Sequence, residues 1–235
     1  MSFEITHEYI DKIEDAVRNQ DITFIKATFE EMYAADASLV LYELNTEQCK
    51  YIIEHLEIDF SAEIISFVDD DTRKLFLKNF NSVQISGFLK FIESDDCADI
   101  LNDQAIQIRE EVLAYIEKDD KEKAIHITDL LRYEEDVAGG LMAKELIKAN
   151  INWSLNQCIE EIRRQSENVE ICYSVYVVND EDKLLGRVSL KKIVLSNAHT
   201  TIKDIYDKDI ISVESYLPAE DVAEIMQKYD LEAVP

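Results

Sequence analysis

The chain has 235 residues, with 50 Asp or Glu against 24 Lys or Arg, and a formal net charge of −26 at pH 7. Hydrophobic residues make up 47% and aromatics 9%, enough to bury one large core or two ordinary ones, which excludes a wholly disordered acidic chain. Only four glycines and two prolines argue against long irregular segments, and so acidic a balance excludes binding to nucleic acid through a positive surface.

The N-terminal stretch MSFEITHEYIDK carries acidic residues and no apolar segment, so it does not read as a signal peptide. Ile5, Tyr9, Ile10, Ile13 and Val17 recur at three- and four-residue spacings and draw one stripe of an amphipathic helix. An internal period of 24 follows. The blocks Asn45 to Val68, Asp69 to Ile92 and Glu93 to Ile116 align without a gap. Apolar residues coincide at Ile52, Phe76 and Ile100, at Ile53, Leu77 and Leu101, and at Ile64, Phe88 and Val112. They coincide again at Ile65, Leu89 and Leu113, and at Val68, Ile92 and Ile116. A weaker copy precedes them, ending in Val40, Leu41 and Leu44. Two short helices per block fit this length, and such units bury their faces only by stacking into a superhelical repeat.

The block starts carry helix-cap chemistry at Asn45 or Thr46, at Asp70 or Asp71, and at Ser94. Acidic residues there also suit the positive end of a helix dipole, which is the plain reading of Asp69 to Asp71 and of Asp95 and Asp96. Asp95 and Asp99 are four apart and share a helix face. Like charges so placed cost a few tenths of a kcal/mol unless a cation compensates. Asp99 and Asp103 repeat the relation less sharply.

After about residue 130 the pattern changes. A helix is predicted over Ala124 to Tyr133, and Gly139-Gly140 breaks it. Another helix is predicted over Ser154 to Gln165, then strands Tyr173 to Val178 and Leu184 to Val188 around the polar turn Asn179 to Lys183. Ser189 caps a helix to Leu195. Next come a helical turn Ile202 to Ile205, a strand Ile210 to Val213, and a helix Pro218 to Tyr229 with Pro near its first position. A further strand is expected to begin at Glu232 to Pro235. The order is a β-α-β-β-α unit followed by the first part of another.

Residues 1–135 hold 32 acidic and 13 basic side chains, whereas residues 136–235 hold 18 and 11, so most of the excess charge lies on the helical repeats. Cys49, Cys97, Cys158 and Cys172 form no CxxC pair, and His7, His55, His126 and His199 are scattered, so they read as reduced, mostly buried thiols and no zinc site. Met142 and Met226 read as core. No run of 18 apolar residues is present, and no nucleophile–base set is visible around Ser189 or His199.

The segment Tyr133-Glu-Glu-Asp-Val-Ala-Gly-Gly-Leu-Met142 resembles the joint between the helical N domain and the paired CBS domains of the MgtE family of magnesium channels and transporters. YSVYVVNDEDKLLGRVSLKKI, Tyr173 to Ile193, is similar to that family's first CBS domain, and Asp209 to Pro235 to the front half of its second. The helical repeats match the family's N domain in order and period. The resemblance therefore implies a multidomain chain: an all-α superhelical repeat N domain over residues 1–130, then an α/β CBS domain pair. The first CBS domain with its joint falls in 131–200, and the second, incomplete, in 201–235.

Family membership implies a cytosolic magnesium-sensing regulatory region of a transporter, soluble as a fragment and lying at the cytoplasmic face of the cell membrane in a longer protein. It implies a homodimer through the CBS domains and a membrane pore domain on the same polypeptide, with no enzymatic activity and no nucleic acid. Mg2+ is the implied ligand, bridging acidic faces of the N and CBS domains to favour a compact, pore-closed state. The matching residues are Asp95 and Asp99, with Asp96 as neighbour and Asp136 beside the joint. Trp153 reads as packing at the CBS interface. The pore domain and connecting helix lie outside this sequence, which therefore reads as a fragment that cannot itself conduct ions.

Two alternatives stand beside this. One is a CBS-dimerised adaptor whose acidic repeats recognise a basic protein. The other is an adenine-nucleotide-sensing CBS module. Many nucleotide-binding CBS domains end a Gly-x-Val-Ser-x-x-Asp pattern on an acid that holds ribose; here GRVSLKK puts Lys192 there. A lysine accepts no hydrogen bond from ribose, although it can meet phosphate.

Overall fold

The computed structural model describes residues 5–165, 169 and 172–235. Residues 1–4, part of the stretch read above as no signal peptide, lie outside them. The chain divides into two compact units, residues 1–131 and 132–235.

The first unit is all helix: α1 (His7–Arg18), α2 (Ile22–Phe29), α3 (Ala34–Tyr42), α4 (Thr46–His55), α5 (Ile58–Ser66), α6 (Asp70–Leu77), α7 (Ser82–Leu89), α8 (Ser94–Asn102), α9 (Ile106–Asp119) and α10 (Lys121–Leu130). Each 24-residue block holds two helices, as its length demands. Most have only 8 to 10 residues, too few to be stable alone in water, so packing holds them. Helices α3, α5, α7 and α9 pack in succession as one layer, and α6, α8 and α10 pack in succession in another.

The pitch is finer than the sequence period. The residues preceding α2 to α9 are Asp21, Tyr33, Asn45, Glu57, Asp69, Asn81, Glu93 and Ala105, each 12 residues after the last. Seven and eight residues beyond these caps the chain turns inward, with Thr28 and Leu113 at the two ends only half-buried. Val40, Ile52, Ile64, Phe76, Phe88, Ile100 and Val112 are all buried, as are Phe29, Leu41, Ile53, Ile65, Leu77, Leu89 and Leu101. The period of 24 is therefore two copies of a 12-residue helix and turn.

Two caps sit one residue before their expected places. Asn45 does cap α4, in a reciprocal capping box with Gln48. At the second block Asp69 accepts from the Thr72 amide, which leaves Asp70 and Asp71 in the first turn. At the third, Glu93 holds the cap position without a side-chain bond and Ser94 is the first helical residue. The helix expected from Ala124 begins earlier, because the Asp120 side chain takes the Lys123 amide and starts α10 at Lys121.

The second unit carries a three-stranded sheet in the order β1 (Lys148–Asn150), β2 (Ser174–Val178), β3 (Leu184–Ser189). β1 pairs parallel with β2, and β2 antiparallel with β3. The parallel pair is crossed by α11 (Leu155–Gln165), and Ser189 caps α12 (Leu190–Leu195). Ile147, Ala149, Leu155, Cys158, Val175, Val177, Val188, Ile193 and Ile202 form the core, with Trp153 packed against it. Ile202 belongs to α13 (Ile202–Ile205), so this turn is part of the first sheet's core. The strand expected at Ile210 to Val213 does not form. Ile210 turns back on Lys208, and Val213 makes a single backbone bond, to the Pro235 carbonyl. The last helix is α14 (Ala219–Tyr229). Met142 and Met226 are half-buried, less covered than core residues.

Candidate functional site

Helix α8 presents Asp95 and Asp96 in its first turn, where the dipole favours anions. Cys97, Ala98, Ile100 and Leu101 point into the core and leave the other side for carboxylates. Asp95 and Asp99 lie one turn apart and half-buried, while Asp96 is exposed. Asp103 lies beyond the helix and is paired with Lys74 at 2.9 Å. Oxygen donors of this kind suit Mg2+, which is commonly held by one or two carboxylates and several waters. Among the described residues no group of three or more His, Cys, Asp or Glu converges in a way that would hold a metal ion.

Asp136 sits in the second unit, in a turn just before the bridge residue Val137. Its carbonyl accepts from the Ala219 amide at 2.8 Å, at the start of α14. Val137 bridges Pro218, and the Ala138 and Gly139 amides donate to Leu217 and Ser215. Gly139 and Gly140 make this path passable: a Cβ would lie 2.4 Å from the Tyr133 ring at the first and 2.2 Å from the Glu134 carbonyl oxygen at the second. The joint thus ties residues 133–140 to the front of α14.

Lys192 has a partner that sequence reading missed. Its ammonium lies 2.7 Å from Asp207 Oδ1. Arg187 and Asp207 exchange two backbone hydrogen bonds, of 3.0 and 2.8 Å, and this bridge carries the carboxylate to the end of β3. A Cβ at Gly186 would stand 2.0 Å from the Asp207 carbonyl oxygen, so glycine permits the approach. The two residues are 15 apart in sequence and no local pattern joins them.

An acidic repeat of paired helices followed by a small mixed sheet with a parallel crossover defines the class: a helical domain joined to a CBS domain. Residues 32–136 match the MgtE intracellular N domain and residues 135–197 match the CBS domain. The chain matches the N-domain-plus-CBS region of the MgtE magnesium transporter family, whose domains are regulatory and non-catalytic. It is 26% identical over 227 residues to the magnesium transporter MgtE of Thermus thermophilus, a match covering 95% of this chain and 50% of that protein. It is 35% identical over 114 residues to the MgtE of Enterococcus faecalis, covering 48% of this chain and 25% of that protein. The chain thus spans at most about half the length of these relatives. Among solved structures, the cytosolic domain of the Mg2+ channel MgtE in complex with ATP superposes with a TM-score of 0.83 at 26% identity, covering 96% of this chain and 91% of that one. The soluble part of a magnesium transporter also gives a TM-score of 0.83, at 24% identity, covering 97% and 89%, a likeness of fold.

Proposed function

We propose that this chain is the ligand-sensing regulatory region of a magnesium transporter and that adenine nucleotide is a ligand of its CBS unit. The observation that carries the nucleotide reading is the likeness to a cytosolic domain solved with ATP, at 26% identity over 96% of this chain. The Lys192–Asp207 pair supports it. Asp207 supplies the acceptor carboxylate that lysine lacks, and Lys192 offers a cation for phosphate.

Mg2+ remains the second reading, favoured by the carboxylates on α8. In it Asp95 and Asp99, with Asp96 and Asp136, help Mg2+ draw acidic faces of the N and CBS domains together and favour the closed state of a membrane pore on the same polypeptide. CBS-mediated homodimerisation belongs to the same proposal. A ligand acts on such a switch only through its different affinity for the two states.

Calorimetric titration with ATP, and small-angle scattering with Mg2+ at constant ionic strength, separate the readings. Saturable ATP binding, weakened at least tenfold by Asp207→Asn, supports the first. Absence of ATP binding removes it. A fall in radius of gyration at millimolar Mg2+, blunted by Asp95→Asn with Asp99→Asn, supports the second, and no compaction removes it.

A further inference from the structure

The residues that face inward repeat every 12, but those facing out from one layer repeat every 24. Phe67 just past α5, Phe91 just past α7 and Tyr115 on α9 hold one such position along the layer of successive packed helices. They are 54%, 54% and 38% exposed. At the last of them, between the start of α7 and the stretch Ile108 to Tyr115 of α9, runs an open groove of about 640 Å³. Val83, Ile108 and Tyr115 give it an apolar floor, and Val83 is 55% exposed. Its polar lining includes Ser82 and Gln84, and its charged lining residue is Glu111. Glu111 accepts from Ser82 Oγ at 2.6 Å, which fixes the carboxylate at the rim.

Charge identifies the occupant. The unit that holds the groove carries 30 acidic and 12 basic side chains, a net of −18. Two of the bases at this end are engaged: Lys90 pairs with Asp119 at 2.5 Å, and the Lys118 ammonium lies 5.0 Å from the centroid of the Tyr115 ring. An acidic peptide would meet repulsion from the whole unit. A purely polar basic chain would leave the apolar floor uncovered.

We infer that this groove docks a basic amphipathic helix of a partner protein. Its apolar stripe seats on Val83, Ile108 and Tyr115, and its Lys or Arg residues meet Glu111 and the surrounding field. The groove follows α9 from Ile108 to Tyr115, about 10 Å at 1.5 Å per residue, so about two turns of a partner helix match the length available. This surface is independent of the nucleotide and Mg2+ readings.

The test uses a fluorescein-labelled 18-residue peptide with Leu at i, i+3, i+4 and i+7 spacings and Lys elsewhere, against the whole chain at 0.15 M salt. A scrambled peptide of the same composition removes the stripe and keeps the charge. Support is saturable anisotropy at least tenfold tighter for the striped peptide, weakened at least tenfold by Val83→Ser with Tyr115→Ser. Amide shifts on the unaltered protein must also centre on residues 81–84 and 108–115, a readout independent of whether the variant folds. Equal binding of both peptides, shifts centred elsewhere, or no binding overturns the inference.

Discussion

Cys49 and Cys97, 48 residues apart, make the same contact. Each thiol reaches the carbonyl eight residues upstream, Leu41 at 3.2 Å and Leu89 at 3.3 Å. Arg73, midway between them, sends its guanidinium to the Val68 carbonyl. Ser61 and Arg109, at the same position of other 12-residue modules, donate to Ile53 at 3.0 Å and Leu101 at 2.9 Å. The physical reason is common to the four that reach eight residues back, while Arg73 meets a carbonyl of the connecting turn. A short helix ends with carbonyls that no amide of its own helix satisfies, and the next helix supplies a donor from its second turn.

Ser61 gives the cleanest test, because it is fully buried and its hydroxyl has that one role. Ser61→Ala leaves the Ile53 carbonyl short of a donor. The expected loss is about 1–2 kcal/mol, read from urea unfolding followed by helical circular dichroism. Cys97→Ser, which keeps a donor in place, should cost less than Cys97→Val, which does not. An unchanged midpoint for Ser61→Ala would show that the carbonyl is satisfied by other means.

These contacts also explain what could be read from the sequence. Paired helices in each block were legible because Ile52, Phe76 and Ile100 and their neighbours recur without a gap. The 12-residue pitch was hidden because alternate helices belong to different layers. Their outward residues differ, as at Phe67 and Asn79, while only the inward ones repeat at 12. The position that donates to the carbonyls varies from Cys to Ser to Arg, so composition disguises a shared role. In the second unit β1 has three residues, too few for alternation to register, and Asp207 reaches Lys192 only through a backbone bridge. The carboxylates of α8 were legible as a face, but their ligand was not, since acids at a helix start also serve the dipole.

Gly186 sets the place of Asp207. A Cβ there would come within 2.0 Å of the Asp207 carbonyl oxygen, which is already bonded to the Arg187 amide. Backbone cannot yield as a side-chain tip can. Gly186→Ala should therefore cost about 1–3 kcal/mol, seen as a lower melting temperature of the second unit. If Asp207 serves nucleotide, the same variant weakens ATP binding, whereas Lys183→Ala, on the distant turn, leaves it unchanged. A variant with native melting behaviour would show that the bridge can shift freely.

Tyr42 and Asp69 form a local pair with a defined pH response. The Tyr42 hydroxyl donates to Asp69 Oδ2 at 2.7 Å and accepts from the Asp69 amide at 2.8 Å. That hydroxyl, and next the Thr72 amide, hold the Asp69 carboxyl below its ordinary value of 3.8. A depressed folded value means the stabilisation is present above the unfolded value and lost as pH falls through the folded one. Tyr42→Phe should therefore lower the melting temperature at pH 7, and the gap from the unaltered chain should narrow as the pH falls below 3.8 and through the depressed folded value. A gap independent of pH would assign the effect to packing of the ring alone.

The thiols differ in reach as well as role. Cys49, Cys97 and Cys158 are buried and Cys172 is half-buried. Burial pushes the Cys49 and Cys158 thiols up to about 11. At pH 8 each would then be about one thousandth thiolate even if a reagent could enter. Burial raises Cys172 too, but part of its surface meets solvent. A disulfide reagent such as dithionitrobenzoate, added to the folded chain at pH 8, should modify one thiol first, and Cys172→Ser should remove that phase. The remaining three should react together on unfolding in guanidinium. Early modification of Cys49 would instead mean that the joint between α3 and α4 opens in the native state, and with it the carbonyl contact that the repeat depends on.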